Sequence, residues 1–243
     1  MANLTGKVAI VTGASGGMGR AIAMRLARDG AAVVVHFHGR ARQAEVVAAA
    51  IRETGGTAVT IHADMSLVVH ARRLIADTVK RLGRLDILIN NAGKFSPKSF
   101  AETTEADFDA LIGLHAKGPY FAMQEAARLL ADHGRIVNIS TAGTQMNFHG
   151  ASAYLASKRA LEQLTKGIAQ ELAPRGITVN AVAPGITDTG VLTETYRQIG
   201  TQRSPMQRVG QPAEIADVVA FLVSEDARWI TGQTIQVGGG IVM

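Results

Sequence analysis

A tyrosine and a lysine in the segment SAYLASKRALEQL, residues 152–164, are spaced for acid–base chemistry. The segment has the apolar spacing of an amphipathic helix, so Tyr154 and Lys158 lie one turn apart on the same face. A free phenol has a pKa of about 10 and exchanges protons poorly at neutral pH. A neighbouring ammonium favours the phenolate and lowers that pKa. The pair therefore predicts a proton donor and acceptor, and the alternative is two solvated side chains that share a helix.

Short β-branched runs and Ala- and Leu-rich helical segments alternate along most of the 243 residues. The strands are apolar throughout, which indicates a parallel sheet covered by helices on both faces. We predict a doubly wound α/β fold in one domain, residues 1–243, without repeats or linkers. The predicted strands are 7–13, 31–37, 57–63, 85–91, 134–140, 176–182 and 234–240, and the predicted helices lie near 18–29, 40–54, 67–82, 103–131, 151–173 and 212–224.

The first predicted strand runs directly into the glycine-rich segment TGASGGMGR, residues 12–20. Gly13, Gly17 and Gly19 stand where a chain must turn tightly, approach a phosphate and pack a helix against the strand. The free N–H groups in the first turn of that helix carry partial positive charge, which suits a pyrophosphate. This placement predicts a dinucleotide site.

The end of the second predicted strand, HFHGRARQ (36–43), indicates which dinucleotide is bound. An acidic residue at this point would bind the ribose hydroxyls of NAD, but the first acid is Glu45. Arg40 and Arg42 follow the strand instead, which favours the 2′-phosphate of NADP(H), with NAD(H) as the alternative cofactor. A second explanation is that both arginines simply face solvent at the start of a helix.

Composition and charge argue against several other classes of protein. The chain has no cysteine, which excludes disulfides, thiolate metal sites and a cysteine nucleophile. The net charge of +5 comes from scattered basic residues, which argues against a nucleic-acid partner. No run reaches the roughly 18 apolar residues of a membrane span, and His36 and His38 have no third metal ligand near them in sequence. We expect a cytoplasmic protein that binds no membrane, nucleic acid or metal.

Four motifs occur in order along the chain: the glycine-rich turn, LINNAG (88–93), YLASK (154–158) and VAPG (182–185). With them the chain resembles the short-chain dehydrogenase/reductase family over essentially its whole length, and in particular the bacterial members similar to 3-oxoacyl-carrier-protein reductase. The resemblance implies a Rossmann-type, seven-stranded parallel sheet in a three-layer α/β/α arrangement. It also implies a nicotinamide cofactor and a homotetramer or homodimer.

The resemblance assigns the reactive residues. Tyr154 and Lys158 match the catalytic pair. The family's serine stands 13 residues before the tyrosine, a position that Thr141 occupies here, with Ser140 in reserve. His115 replaces the family's asparagine, which bends its helix and binds a water that links the lysine to solvent. A histidine there either modifies this proton relay or is structural, and the nearby lysine predicts a lowered histidine pKa.

The same resemblance predicts the cofactor contacts. Asp64 matches the acid beside the adenine ring, Asn90 belongs to the segment beside the ribose and the sheet core, and residues 184–187 match the segment that holds the nicotinamide carboxamide. The predicted cofactor-binding residues are Gly13, Ser15, Gly17, Met18, Gly19, His38, Arg40, Asp64, Met65, Asn91, Ala92, Gly93, Tyr154, Lys158, Pro184, Gly185, Ile186 and Thr187.

These assignments predict an NADP(H)-dependent oxidoreductase that interconverts a carbonyl and a secondary alcohol of a small-molecule substrate. Compounds of the 3-oxoacyl type and other ketones are the candidate substrates. Tyr154 is the acid–base group, Thr141 orients the substrate and Lys158 tunes the tyrosine. The rival hypothesis, which the substitution at His115 motivates, is a cofactor-binding protein of this fold with little turnover, such as a sensor or an assembly subunit.

Three segments, residues 94–98, 143–152 and 187–205, are expected to line the substrate pocket. The irregular segment 186–210 follows the sixth predicted strand at the edge where ligands bind, which predicts a lid over the site or else a plain surface insertion. The apolar carboxyl terminus, residues 232–243, predicts a subunit interface or else burial within the monomer.

Overall fold

The computed structural model describes residues 2–146 and 148–242. Asn147, in the predicted pocket segment 143–152, and Met243, at the end of the predicted interface, lie outside the described residues. The strands are β1 (Val8–Val11), β2 (Ala32–Phe37), β3 (Ala58–His62), β4 (Ile87–Asn90), β5 (Arg135–Ile139), β6 (Thr178–Pro184) and β7 (Thr234–Val237). They form one parallel sheet in the order β3-β2-β1-β4-β5-β6-β7.

Helices cover both faces of the sheet, and the predicted doubly wound fold is confirmed. One layer contains α1, α2 and α8, and the other contains α3, α5 and α6. Among residues 2–146 and 148–242, no helix is long and apolar enough to cross a bilayer. The helices are α1 (Gly17–Arg28), α2 (Ala41–Glu53), α3 (Val68–Leu82), α4 (Glu105–Ile112), α5 (Gly118–Leu129), α6 (Ser152–Leu172), α7 (Glu194–Arg203) and α8 (Pro212–Leu222).

The continuous apolar strands follow from this two-sided burial. In β1, Ala9 and Val11 pack in the core layer of α1, whereas Ile10 packs in the layer of α3 and α5. Successive side chains of a strand point to opposite faces. When both faces are covered, every position must be apolar, so the sequence shows a continuous run instead of an alternation.

The predicted helix 103–131 is interrupted in the middle. It begins at a capping box between Thr104 and Asp107, and a π-helical turn at Gly113–Lys117 separates α4 from α5. Pro119 has no N–H to donate to the carbonyl one turn earlier. A Cβ at Gly118 would lie 1.8 Å from the carbonyl oxygen of Met65, so the helix packs here directly on the backbone after β3. Both features account for the local change in the hydrogen-bond ladder.

The predicted irregular segment 186–210 contains a helix that the sequence pattern did not reveal. This helix, α7, begins after Thr193, whose hydroxyl accepts a hydrogen bond from the backbone N–H of Tyr196 at 3.4 Å. The two ends of the segment are held together, because Thr187 and Gly210 form a parallel β-bridge. The segment therefore leaves and rejoins the sheet edge at one point.

Candidate active site

The candidate site lies where the strand order of the sheet reverses. β1 lies between β2 and β4, so the chain proceeds through β2 and β3 and then returns to the other side of β1. In an open parallel sheet this reversal leaves a crevice at the carboxyl ends of the strands. The segments that follow β1, β4, β5 and β6 carry most of the predicted site residues and meet at this edge.

Lys158 lies on α6, one turn after Tyr154, and its side chain is buried. Its ammonium donates a hydrogen bond to the carbonyl oxygen of Ile139 at the end of β5, with an N–O distance of 2.8 Å. Burial lowers the pKa of Lys158 to about 8, and the negative charge of Glu162 opposes this effect. A lysine with this pKa both gains and loses protons near neutral pH.

The phenol of Tyr154 behaves differently from the sequence-based expectation. Burial raises its pKa, because a desolvated phenolate is unfavourable, and a hydrogen bond from the Thr141 hydroxyl acts in the opposite direction. The expected lowering by Lys158 does not occur in the protein alone. Thr141 itself is oriented by the backbone N–H of Gly143, which donates to its Oγ1 at 3.2 Å.

Ser140, the reserve hydroxyl, points to a different partner. Its Oγ donates to the buried carboxylate of Glu162 at 2.7 Å, and Thr144 donates to the same oxygen at 2.7 Å. Arg159 binds the other oxygen at 2.9 Å. The structure thus brings Thr141 to the tyrosine and Ser140 to a buried carboxylate. Sequence reasoning missed Glu162, although its position four residues after the lysine placed it on the same helix face.

His115 is buried on the π-helical turn and is bound through both ring nitrogens. Nε2 accepts the backbone N–H of Lys94 at 3.1 Å, so the ring proton resides on Nδ1 and is donated to Ser157 Oγ at 2.8 Å. The Ser157 hydroxyl then donates to the carbonyl oxygen of Tyr154 at 2.7 Å. These bonds connect the segment after β4, the π-helical turn and the helix of the reactive pair.

The pKa of His115 is lowered to about 3, in the expected direction. Burial is the main cause, and the charges of Lys158 and Lys94 add to it. The imidazole is therefore neutral at physiological pH. Both ring nitrogens are bound within the protein, which favours the structural alternative over a modified proton relay.

The glycine-rich turn after β1 is too crowded for side chains at Gly13 and Gly19. Gly13 has a φ of +66°, and a Cβ there would lie 3.0 Å from the Cα of Ala92. A Cβ at Gly19 would lie 2.3 Å from the carbonyl oxygen of Gly13. α1 begins at Gly17 with no side-chain cap and no acidic residue in its first turn. Its free N–H groups therefore fit a pyrophosphate.

His36 supports this turn from below, which sequence reasoning did not anticipate. The backbone N–H of Gly13 donates to His36 Nδ1 at 2.9 Å, so Nε2 carries the proton and donates to the carbonyl oxygen of Ala63 at 3.0 Å. Burial lowers the pKa of His36 to about 4. A polar residue inside an otherwise apolar strand was the only sign of this role in the sequence.

The predicted adenosine side lies at the ends of β2 and β3. Nη1 of Arg40 lies 3.6 Å from the position that a Cβ would occupy at Gly16, so the guanidinium sits beside the glycine-rich turn. The ring of His38 stacks on that of His62, with centroids 5.7 Å apart. Asp64, which follows β3, accepts hydrogen bonds from the hydroxyl and the N–H of Ser66 at 2.7 and 2.9 Å. Met65 is buried in the neighbouring core layer.

The predicted nicotinamide side is formed by the end of β6 and the segment after β4. A Cβ at Gly185 would lie 2.7 Å from the Cα of Gly238, so the chain after Pro184 passes directly over the end of β7. Thr187 donates its hydroxyl to the carbonyl oxygen of Gly185 at 3.0 Å, and Ile186 packs beside α7. A Cβ at Gly93 would lie 3.5 Å from Nζ of Lys158.

The remaining predicted contacts divide between the crevice and the interior. Asn91 donates its side-chain amide to the carbonyl oxygen of Thr12 at 2.8 Å and so joins the segment after β4 to the turn after β1. Asn90 points into the sheet, where its amide donates to Asn138 at 2.8 Å. Ser15 lies within the turn, whereas Met18 packs partly against the core.

Comparisons with known proteins agree with this geometry. A family model described as enoyl-(acyl carrier protein) reductase matches residues 13–242. An uncharacterized oxidoreductase of Methylorubrum extorquens is 42% identical over 247 residues, which cover 99% of this chain and 100% of the relative. The 3-oxoacyl-[acyl-carrier-protein] reductase FabG of Staphylococcus aureus is 39% identical over 242 residues, 98% of each chain. The crystal structure of the angucycline C-6 ketoreductase LanV with bound NADP has a TM-score of 0.95 at 43% identity, covering 99% of this chain and 97% of LanV.

Proposed function

The chain belongs to the short-chain dehydrogenase/reductase family and is an oxidoreductase, and on that premise we propose that it interconverts a carbonyl and a secondary alcohol with NADP(H). The observation that carries the proposal is the convergence of Tyr154, Lys158 and Thr141 beside a glycine-rich turn shaped for phosphates. The candidate substrates are 3-oxoacyl compounds and other ketones, since FabG is a 3-oxoacyl-[acyl-carrier-protein] reductase and LanV is a ketoreductase.

Three observations support NADP(H) as the cofactor. β2 ends without the acid that would bind the ribose hydroxyls of NAD. Arg40 holds its guanidinium beside the glycine-rich turn, where a planar fork of donors suits a phosphate. LanV, which shares 43% of its sequence with this chain, was crystallised with NADP. Arg40 therefore binds the 2′-phosphate.

Tyr154 and Thr141 act on the substrate oxygen. When bound, the nicotinamide nucleotide supplies the hydride for reduction of the carbonyl carbon. Tyr154 donates its phenolic proton to the carbonyl oxygen as charge develops there, and Thr141 donates a hydrogen bond that orients the same oxygen. In the direction of oxidation, the phenolate takes the proton from the alcohol.

Lys158 places a positive charge on the helix face that carries Tyr154. Its ammonium is held at the carbonyl of Ile139 by a 2.8 Å hydrogen bond, and its pKa of about 8 makes it a proton donor near neutral pH. Glu162 lies one turn further along α6, and its negative charge favours the protonated lysine. The lysine thus stays mostly protonated, yet it gives up its proton more readily than a solvated lysine does.

His115 acts as a positioning residue and not as a proton relay. Its ring carries one proton, which Ser157 Oγ accepts at 2.8 Å, and its other nitrogen is bound to the backbone of Lys94. The neutral ring therefore holds α6 against the segment after β4. The same connection fixes the height of Tyr154 above the crevice.

The segment 186–210 acts as a lid. A β-bridge between Thr187 and Gly210 joins its two ends. An ion pair of 2.6 Å between Asp188 and Arg197 ties its first residues to α7. α7 carries Tyr196 over the crevice, where its ring lies 6.1 Å from that of Phe95. Closure of this segment excludes water from the reacting carbonyl.

The experiment that tests the function is oxidation of NADPH, followed by absorbance of the nicotinamide, with ketones, diketones and 3-oxoacyl thioesters. We expect turnover with NADPH that falls about 10³-fold in Tyr154→Phe, since the variant lacks the acid. Arg40→Ala should raise the Kd for NADPH about tenfold or more and leave that for NADH unchanged, whereas the neighbouring Arg42→Ala serves as the matched control.

Three results would contradict the proposal in whole or in part. Binding of NADPH without turnover of any carbonyl compound would support the cofactor-binding rival. Turnover that persists in Tyr154→Phe at the wild-type rate would show that the acid lies elsewhere. An Arg40→Ala variant that weakens NADPH and NADH equally would remove the argument for the 2′-phosphate.

A further inference from the structure

Three aromatic rings pack around Phe95, and one of them belongs to the candidate reactive tyrosine. The ring of Phe95 lies edge-to-face against Tyr154, Phe148 and Tyr196, with centroid separations of 5.1, 6.3 and 6.1 Å. Aromatic residues make up only 5% of the chain, which has three tyrosines in total. The gathering of two tyrosines and two phenylalanines is therefore a distinct local feature, and we name these four rings the aromatic cluster.

The aromatic cluster is not part of the hydrophobic core. The buried residues of both core layers are Ala, Val, Leu, Ile and Met. Phe95 and Tyr196, by contrast, remain 44% and 40% exposed. Each Å² of apolar surface left in water forfeits about 25 cal/mol. Folding leaves part of both rings exposed, and that surface is available to a ligand.

One wall of the aromatic cluster is fixed by close packing. A Cβ at Gly143 would lie 2.9 Å from Cε1 of Phe148 and 3.0 Å from Cδ2 of Leu155, so only a glycine lets the phenylalanine ring sit there. The other two rings come from separate segments, with Phe95 after β4 and Tyr196 on α7. The rings therefore come from separate segments and pack against one another next to the phenol.

We propose that the site takes ketones whose carbonyl is carried on or beside a planar aromatic ring system, in preference to flexible aliphatic ketones and acyl thioesters. This inference rests on the proposed function, because Tyr154 must address the carbonyl oxygen. The centroid of the Phe95 ring lies 5.1 Å from that of the Tyr154 ring. A substrate ring next to the reacting carbonyl would therefore contact Phe95. Edge-to-face and offset-stacked contacts favour a planar ring, whereas a flexible chain loses rotational freedom on binding.

The test compares two bicyclic ketones of the same frame, 2-tetralone and 2-decalone, of which only the first contains an aromatic ring. We expect kcat/KM to favour 2-tetralone by about tenfold. Phe95→Leu and Tyr196→Leu should each abolish most of this preference by lowering kcat/KM for 2-tetralone, with little change for 2-decalone. Phe221→Leu on α8, where the phenylalanine is also 44% exposed, is the matched control and should retain the preference.

A binding measurement separates this inference from the proposed function. Calorimetric titration of the NADP-loaded protein with 2-naphthol and with 2-decalol reports ring selectivity even if no ketone is reduced. Selective binding of 2-naphthol that is lost in Phe95→Leu, without turnover, would sustain the ring selectivity of the site and reject the proposed function. Equal affinity for both alcohols, equal kcat/KM for both ketones, or a preference for a 3-oxoacyl thioester that Phe95→Leu does not alter would overturn the inference.

Discussion

Burial has opposite effects on the two residues of the reactive pair. It raises the pKa of the Tyr154 phenol and lowers the pKa of the Lys158 ammonium to about 8. Both shifts have one cause, since a low-dielectric surrounding disfavours whichever form is charged. A phenolate in this site is therefore a stronger base than in water, and the adjacent ammonium is a stronger acid.

Substitutions at Thr141 and Ser140 distinguish the roles of the two neighbouring hydroxyls. We expect Thr141→Ala to lower kcat about 10²-fold, because the substrate oxygen loses a positioned donor, and Thr141→Ser to retain most activity. Ser140→Ala should keep kcat within a few-fold but lower the Tm, because the buried Glu162 loses a 2.7 Å hydrogen bond. Steady-state kinetics and thermal unfolding measure both effects. A larger loss of kcat in Ser140→Ala than in Thr141→Ala would reverse the assignment.

The positioning role of His115 predicts a particular pattern of kinetics. We expect His115→Ala and Ser157→Ala each to lower kcat about tenfold by loosening the same connection to Tyr154. The double variant should be no worse than either single one, because both remove one connected set of hydrogen bonds. The apparent pKa values in the pH profile of kcat should be unchanged in all three variants. A shift of these apparent pKa values in His115→Ala alone would instead indicate a proton relay through the ring.

At the scale of elements, close backbone approaches decide where the site can form. The glycine-rich turn touches the segment after β4, since a Cβ at Gly13 would lie 3.0 Å from Ala92. The π-helical turn at Gly113–Lys117 rests on the segment after β3 through Gly118. Each approach is closed to any residue larger than glycine. The elements that carry the site are therefore locked to one another before any ligand binds.

Gly19→Ala tests the packing of α1 on the glycine-rich turn. Its Cβ would lie 2.3 Å from the carbonyl oxygen of Gly13, so α1 must shift away from the turn. We expect the Kd for NADPH to rise about tenfold or more and the Tm to fall. Gly16→Ala is the matched control, because the nearest atom to its Cβ is Nη1 of Arg40 at 3.6 Å. Fluorescence titration with NADPH measures both variants, and equal affinities would contradict the packing argument.

At the scale of the whole molecule, the doubly wound sheet buries two neutral histidines. The pKa of His36 is lowered to about 4 and that of His115 to about 3, in both cases mainly by burial. Each ring uses one nitrogen as a donor and the other as an acceptor. Protonation would break one hydrogen bond at each ring. The same acidification would therefore loosen the cofactor turn and the segment that positions Tyr154.

These histidines make the free energy of unfolding depend on pH. Both rings stay neutral in the folded protein, whereas the unfolded chain takes up protons near pH 6.5. Their stabilising contribution is complete above pH 6.5 and falls as the pH drops toward 4, by about 1.4 kcal/mol per pH unit for each histidine. Urea unfolding at pH 7.5 and 5.5 measures this loss. His36→Gln should reduce the slope, and His149→Gln, at an exposed position, should leave it unchanged.

The segment 186–210 shows a limit of sequence patterns at the same scale. Its helix α7 has few buried residues, so its sequence lacks the apolar periodicity by which the other helices were predicted. Thr193, a residue type that often begins a helix, was present in the sequence, but it gave no evidence of how long a helix would be. The prediction of one continuous helix over 103–131 was wrong for the opposite reason, because the apolar periodicity continues through the π-helical turn. Element type was therefore predictable where one face is buried, and boundaries were not.

Sequence patterns were sufficient to predict the doubly wound fold, the glycine-rich turn after β1 and the shared helix face of Tyr154 and Lys158. Each of these depends on residues that are neighbours in the chain, whose periodicity is set by strand and helix geometry. The resemblance had already preferred Thr141 to Ser140, and the folded protein adds that Ser140 binds Glu162, that His36 supports the turn and that Phe95 contacts the other three rings of the aromatic cluster. These outcomes depend on desolvation and on contacts between residues far apart in the chain, which no local pattern records.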